Sequence, residues 1–148
     1  MIENAPLPAT DNPLEAPFWT ALAGGVLKIQ HCDGCGIWLF PTRVRCGSCG
    51  SRPVWNTVSG RGRIWSFTRV HPPVLPAFAP FAPYPVAVVE LDEQPGLRMV
   101  GNLVFEAGDA INSVPPEHIR IGLPVQAVIR DLGGGVHWPA WQLLGDGA

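Results

Sequence analysis

The sequence predicts a mainly β protein: a short N-terminal helix, a four-cysteine ribbon, then a five-stranded Greek-key barrel of OB type. Three observations carry this. The only four cysteines stand as two CxxC pairs, Cys32–Cys35 and Cys46–Cys49. From Ser59 onward, apolar and polar residues alternate with a period of two, in runs separated by Gly- and Pro-containing turns. Glycine and proline number 17 each, which favours turns over long helices. The 148 residues divide into a tail and helix over 1–25, a ribbon over 26–57 and a barrel over 58–148.

Each element has a local reason. Residues 1–12 carry proline and asparagine and read as loose. Asp11 or Asn12 can cap a helix, Pro13 or Pro17 suits its first turn, and Gly24-Gly25 stops it. Phe18, Trp19 and Leu22 give that helix an apolar face, which must pack on this chain or on another protein. Val26 to His31 leads into the first cysteine pair as a strand, and Trp38 to Phe40 leaves it before a turn at Pro41. Arg61 to Val70 reads as a long strand in which Gly62 permits a bend or bulge. Val86 to Asp92 and Leu97 to Phe105 form a hairpin through Glu93-Gln94-Pro95-Gly96. Residues 115–119 suit one helical turn, Val125 to Arg130 a further strand, and Gly133-Gly134-Gly135 a turn into a last strand through Trp138 and Trp141. A short helix between the third and fourth strands matches the OB pattern.

Two CxxC pairs separated by ten residues can bring four thiolates onto one metal ion. Gly36 and Gly50 follow the second cysteine of each pair, where a knuckle often needs positive φ. With every cysteine used, no coordination position stays open, so Zn2+ bound by Cys32, Cys35, Cys46 and Cys49 is structural. A rubredoxin-type iron centre uses the same ligands. His31 adjoins Cys32 but is expected to be a non-ligand. The N-terminus has neither a basic stretch nor an apolar core of signal-peptide type, so a cytoplasmic chain with reduced cysteines is expected rather than a disulfide framework. No βαβ pattern supports a thioredoxin-like motif.

Hydrophobic residues make up 47% of the chain and charged ones 15%. Apolar runs are too short to span a membrane. Net charge is −2, yet Lys28, Arg43, Arg45, Arg52, Arg61, Arg63 and Arg69 crowd one stretch in which Asp33 is the only acid. Such a stretch attracts phosphate, whether of a nucleic acid or of coenzyme A, or an acidic partner. Arg43, Arg45, Arg61 and Arg63 are the candidate phosphate contacts. Six tryptophans exceed what a small core needs, which leaves core and interface both open for them. Between the first two barrel strands, residues 71–85 hold six prolines with Val74, Leu75, Phe78, Phe81 and Tyr84. So apolar a loop is expected to cover a ligand, pack across the barrel mouth or dock a partner. His71, His118 and His137 stand isolated, and Glu90, Asp92 and Glu93 read as a solvated turn, so no catalytic set emerges.

Taken together, these segments resemble a known family. They are Pro17 to Leu22, Gly25 to Cys32, the cysteine quartet with Phe40-Pro41-Thr42-Arg43, Ser59 to Thr68, Pro85 to Glu93 and Ile121 to Val125. The family, first catalogued as a domain of unknown function, pairs a rubredoxin-like zinc ribbon with an OB fold and accompanies acyl-CoA enzymes, above all thiolase-superfamily proteins. The resemblance covers nearly the whole chain; His137 to Trp141 is richer in tryptophan than the usual ending. It implies a subunit rather than a free-standing enzyme. The expected partner is a thiolase-like protein such as a steroid side-chain retro-aldolase, or a MaoC-type enoyl-CoA hydratase, in a hetero-oligomer that handles acyl-CoA. Phe18, Trp19, Leu22, Val74, Leu75, Phe78, Phe81 and Tyr84 are the candidate partner contacts. The alternative from a different class is a single-strand nucleic-acid module, with Trp65 and Phe67 as stacking platform and Arg61, Arg63 and Arg69 on phosphates.

Overall fold

A computed structural model describes residues 2–145. Helix α1, Ala16–Ala23, has Pro17 in its first turn, where a missing N–H is harmless. Its cap differs from expectation. Glu15 holds the N-cap position without a side-chain bond, and Asn12 shapes the turn before the helix instead. The Asn12 carbonyl accepts from Glu15 and Ala16, while its Oδ1 accepts from the Leu14 N–H. The C-terminus closes as a Schellman motif. Gly25, at φ +76°, donates to the Leu22 carbonyl and Val26 donates to that of Ala21.

The ribbon is a three-stranded antiparallel sheet of β1 (Lys28–His31), β2 (Trp38–Leu39) and β3 (Val54–Thr57), ordered β2-β1-β3. Strand β3 was not anticipated. Its four residues have no buried side chain, and pairing of Lys28 with Thr57 through His31 with Val54 holds it in place.

The barrel comprises β4 (Arg61–Val70), β5 (Tyr84–Leu91), β6 (Arg98–Val104), β7 (Pro124–Gly133) and β8 (Val136–Leu143). It closes in the order β4-β5-β6-β8-β7, with β7 returning to β4 through Arg61–Gln126 and Arg63–Pro124. The β6–β8 contact is parallel, Leu103 beside Trp141, and the rest are antiparallel. This is the five-stranded OB arrangement, with a 3-10 turn at Pro116–His118 between β6 and β7. Alternation works as the sequence implied: along β5, Pro85, Ala87, Val89 and Leu91 point inward. The register slip in β4 falls between Ile64 and Ser66, at Trp65, and not at Gly62. Gly62 serves a different need. A Cβ there would lie 2.5 Å from the Glu90 carbonyl oxygen, so β4 and β5 approach this closely only because it is glycine.

Helix, ribbon and barrel share one core. The Phe18 ring lies 6.2 Å from Phe40 and 6.4 Å from Trp55 of the ribbon, and 5.7 Å from Trp138 of β8. Of the six tryptophans, Trp141 is fully buried, Trp19, Trp38, Trp55 and Trp138 are half-buried against the core, and Trp65 is 48% exposed. Polar clamps reinforce the seam. Gln94, in the β5–β6 turn, accepts from the Trp38 N–H at 2.8 Å and donates to the Trp38 carbonyl at 3.2 Å. Glu93 accepts from the Ser59 N–H at 2.6 Å. Among the described residues, no helix is long and apolar enough to cross a membrane.

Candidate metal centre and the surfaces it positions

The two cysteine pairs sit in knuckles of the same local geometry. Cys32 N–H donates to the Ile37 carbonyl and Gly36 N–H to that of Cys32; Cys46 N–H donates to Ser51 and Gly50 N–H to Cys46. Gly36 and Gly50 have φ of +77° and +75°, a region that side chains disfavour. Each knuckle thus presents two sulfurs on one side of a tight turn. Facing each other, they place all four Sγ atoms within 4.8 Å, with Cys32 to Cys49 at 3.3 Å and Cys35 to Cys46 at 3.5 Å. A tetrahedron of four Zn–S bonds of about 2.3 Å has edges of about 3.8 Å, so the cluster fits zinc.

Electrostatics divide the four thiols, holding Cys46 and Cys49 down and Cys32 and Cys35 up. Ser51, through its hydroxyl and backbone, draws the Cys49 thiol down to about 6. The backbone N–H groups of Cys49 and Ser48 lower Cys46. Burial raises Cys32. Four thiolates this close repel unless a cation neutralises them, and a bound divalent ion reverses that balance. Cys32 and Cys46 are buried while Cys35 and Cys49 are exposed. His31 is turned to Asp33, at 3.0 Å, and lies edge-on to Trp38, outside the cluster. A closed set of four sulfurs offers rigidity and no vacant position for a substrate.

The candidate phosphate contacts divide into two pairs. Arg43 and Arg45 are exposed beside the second knuckle. Arg45 donates to the Gly50 carbonyl, and buried Gln30 grips the Arg43 main chain by both its N–H and its carbonyl. Arg61 and Arg63 stand on β4, and the small groove they line contains Asp92, Pro124 and Leu144 but neither Arg43 nor Arg45. Arg63 also donates to the Gly122 carbonyl.

The candidate partner contacts separate as well. Phe18 and Leu22 are 4% and 0% exposed, so the apolar face of α1 is covered by this chain's own β1 and β8. Of the two covers open to this helix face, the chain itself supplies it, from ribbon and barrel together, so Phe18 and Leu22 are not exposed as partner contacts. Trp19 is half-buried against Trp138, at 5.8 Å. In the proline loop, Pro76–Phe81 winds into a 3-10 helix. Phe78 lies tilted against Tyr84 at 6.0 Å, Val74 and Phe81 are half-buried, and Leu75 is 56% exposed. Of the two residues proposed for base stacking, Phe67 is exposed and Trp65 is engaged: the Arg98 guanidinium lies 3.7 Å over the Trp65 ring and is paired to Glu90 at 3.0 Å. Sequence reasoning missed this stack and both glutamine clamps, because each joins residues distant in the chain.

Two family models adjoin over residues 19–130 of this chain. Residues 19–54 match the rubredoxin-like zinc ribbon domain of ChsH2, and residues 55–130 match its C-terminal OB-fold domain. The chain belongs to the ChsH2 family. Among solved structures, a chain described as "Ltp2-ChsH2(DUF35) aldolase" superposes with a TM-score of 0.76 at 31% identity, over 92% of this chain and 98% of that one. A DUF35 domain-containing scaffold protein of Methanocaldococcus jannaschii is 34% identical over 103 residues, 68% of this chain and 64% of its own. The 3-oxo-4,17-pregnadiene-20-carboxyl-CoA hydratase alpha subunit of Mycobacterium tuberculosis is 35% identical over 127 residues, 85% of this chain. The ChsH2-family match spans only 35% of that longer subunit, and 28% of a related enoyl-CoA hydratase alpha subunit.

Proposed function

We propose that this chain is a non-catalytic, zinc-bearing partner subunit of a thiolase-superfamily enzyme that acts on acyl-CoA, a retro-aldolase of steroid side-chain or related catabolism. The observation that carries the reading is the near end-to-end likeness to a chain of the Ltp2-ChsH2(DUF35) aldolase. The closed sulfur cluster supports it, since it stiffens a surface without offering chemistry. The exposed Arg43 and Arg45 suit CoA phosphates or an acidic partner face. Leu75, 56% exposed, is the candidate partner contact most open to solvent.

A second partner class is favoured by one observation, the 35% identity to a hydratase alpha subunit. Here the partner would be a MaoC-type enoyl-CoA hydratase. Co-expression with candidate thiolase-like and hydratase-like proteins separates the two. We expect co-elution with the thiolase-like protein, and aldol cleavage of an acyl-CoA that neither chain performs alone. A thiolase-like partner that is soluble and fully active without this chain overturns the proposal. Co-elution with the hydratase alone selects the second reading.

A further inference from the structure

The outer face of β4, β5 and β6 carries an apolar strip. Strand pairing sets Ser66 and Thr68 of β4 opposite Val88 and Val86 of β5, and Val88 opposite Val100 of β6. Ala87, Val89 and Leu91 point into the core, so the alternate residues of β5 lie outside. Val88 is half-buried and Val100 is 50% exposed. The bulge in β4 adds Trp65, the extra residue beside Ser66, at 48% exposure. Bulges re-aim side chains, and this one turns a large ring onto the strip.

Trp65 is held in place. The Arg98 guanidinium over its ring is fixed in turn by Glu90, which also accepts from the Gly96 N–H at 2.9 Å. An exposed ring whose orientation is already set loses little freedom on contact, and tryptophan and arginine dominate interface energies. The same guanidinium occupies a face of the indole that a stacked base would use, and the valines offer no second platform. The charge on this side of the barrel is mainly positive, with Arg61, Arg63, Arg69 and Arg98 against Glu90 and Asp92. Glu90 is committed to Arg98. Arg61 and Arg63 at one end of β4, and Arg69 at the other, are exposed and make no ion pair among the described residues. Asp92 shares the groove of Arg61 and Arg63 without pairing to either, and Arg63 donates to the Gly122 carbonyl.

We propose that this face, anchored by Trp65 and Val100, is where the thiolase-like partner docks, through an apolar patch flanked by aspartate or glutamate. An apolar centre rimmed by cations is complementary to such a patch, in charge as in polarity. The inference rests on the partner-subunit reading above and adds the surface that carries it. It gives Trp65 a role as a protein contact in place of a base-stacking platform.

Surface-plasmon binding of the zinc-loaded full chain to the thiolase-like protein with which it co-elutes tests this. Trp65→Ala should raise the dissociation constant at least about 30-fold, as for a truncated interface anchor. Val100→Asp, which places a carboxylate on the strip, should raise it at least about tenfold, and both variants should keep the wild-type melting temperature because both side chains are exposed. Wild-type affinity in both variants overturns the assignment of this face and leaves the partner-subunit reading standing. A wild-type chain that binds no thiolase-like protein overturns both. Salt-dependent binding of single-stranded oligothymidylate that Trp65→Ala abolishes would give the face to nucleic acid and overturn the proposal. Self-association of the wild-type chain in sedimentation, lost in Trp65→Ala, would give it to a second copy and overturn the proposal equally.

Discussion

At Gly62 the barrel has no room for a side chain, since a Cβ would meet the Glu90 carbonyl at 2.5 Å and the Val89 side chain at 2.7 Å. Backbone atoms cannot swing aside as a flexible side-chain tip can. Gly62→Ala should therefore destabilise the fold by about 2 kcal/mol, read from the urea midpoint with an unchanged slope. On the opposite strand, Glu90 shows how a charge is held. The Gly96 N–H, and then Arg98, keep its carboxyl below the usual range. A depressed carboxylate adds stability that is present above its unfolded value and is lost as pH falls through its folded value. Glu90→Gln should thus flatten the acid limb of the thermal-stability profile. It should also free Arg98 from Trp65, visible as altered tryptophan fluorescence. A profile identical to wild type would refute the assignment.

Among the elements, α1 behaves as a rivet. Truncating Phe18 to alanine empties the point where helix, ribbon and barrel rings meet, and should lower stability by about 3–5 kcal/mol. Leu75→Ala, on an exposed turn of the proline loop, should stay within about 0.5 kcal/mol by the same denaturation measurement. Strand β5 was visible because every second side chain is buried, and alternation records that directly; Arg61–Val70 was readable to the residue although its Trp65 and Phe67 are exposed. Strand β3 left no such trace, as Val54–Thr57 has no buried side chain and exists through its pairing with β1. The orientation of α1 was hidden for a different reason. An apolar helical face declares that it must be covered, not what covers it, and here the cover is Trp138 and Trp55. Likewise the sulfur site was legible from spacing within each knuckle, whereas the Gln94–Trp38 clamp joins residues far apart in the chain.

For the whole molecule, the metal should govern more than the ribbon. Structural zinc in a site of this type contributes on the order of 10 kcal/mol to folding. Cys35→Ser should drop bound zinc from one per chain to near zero by elemental analysis and lower the melting temperature by at least about 10 °C. Unchanged stability after zinc loss would exclude a structural role. Partner capture belongs to this scale too. Reversing both exposed arginines, Arg43→Glu with Arg45→Glu, should slow association with a thiolase-like partner by about tenfold or more at low salt, with no change in melting temperature. Surface-plasmon kinetics across a salt series would measure it; an unaltered association rate would remove these arginines from the interface.

The grip of Gln94 on Trp38 has a consequence for how the chain opens. It joins the barrel's β5–β6 turn to the strand that leaves the first knuckle, using both the backbone donor and the backbone acceptor of one residue. Hydrogen exchange at the Trp38 amide thus reports on two modules at once. If the molecule opened as separate cooperative units, stripping zinc would speed exchange in the ribbon and leave the β5–β6 turn protected. With the seam closed by this clamp and by Phe18, the turn amides of Gln94 and Leu97 should lose protection together with those of Cys32 and Cys46. The barrel would then sense metal loss through a fluctuation and not through a change of shape.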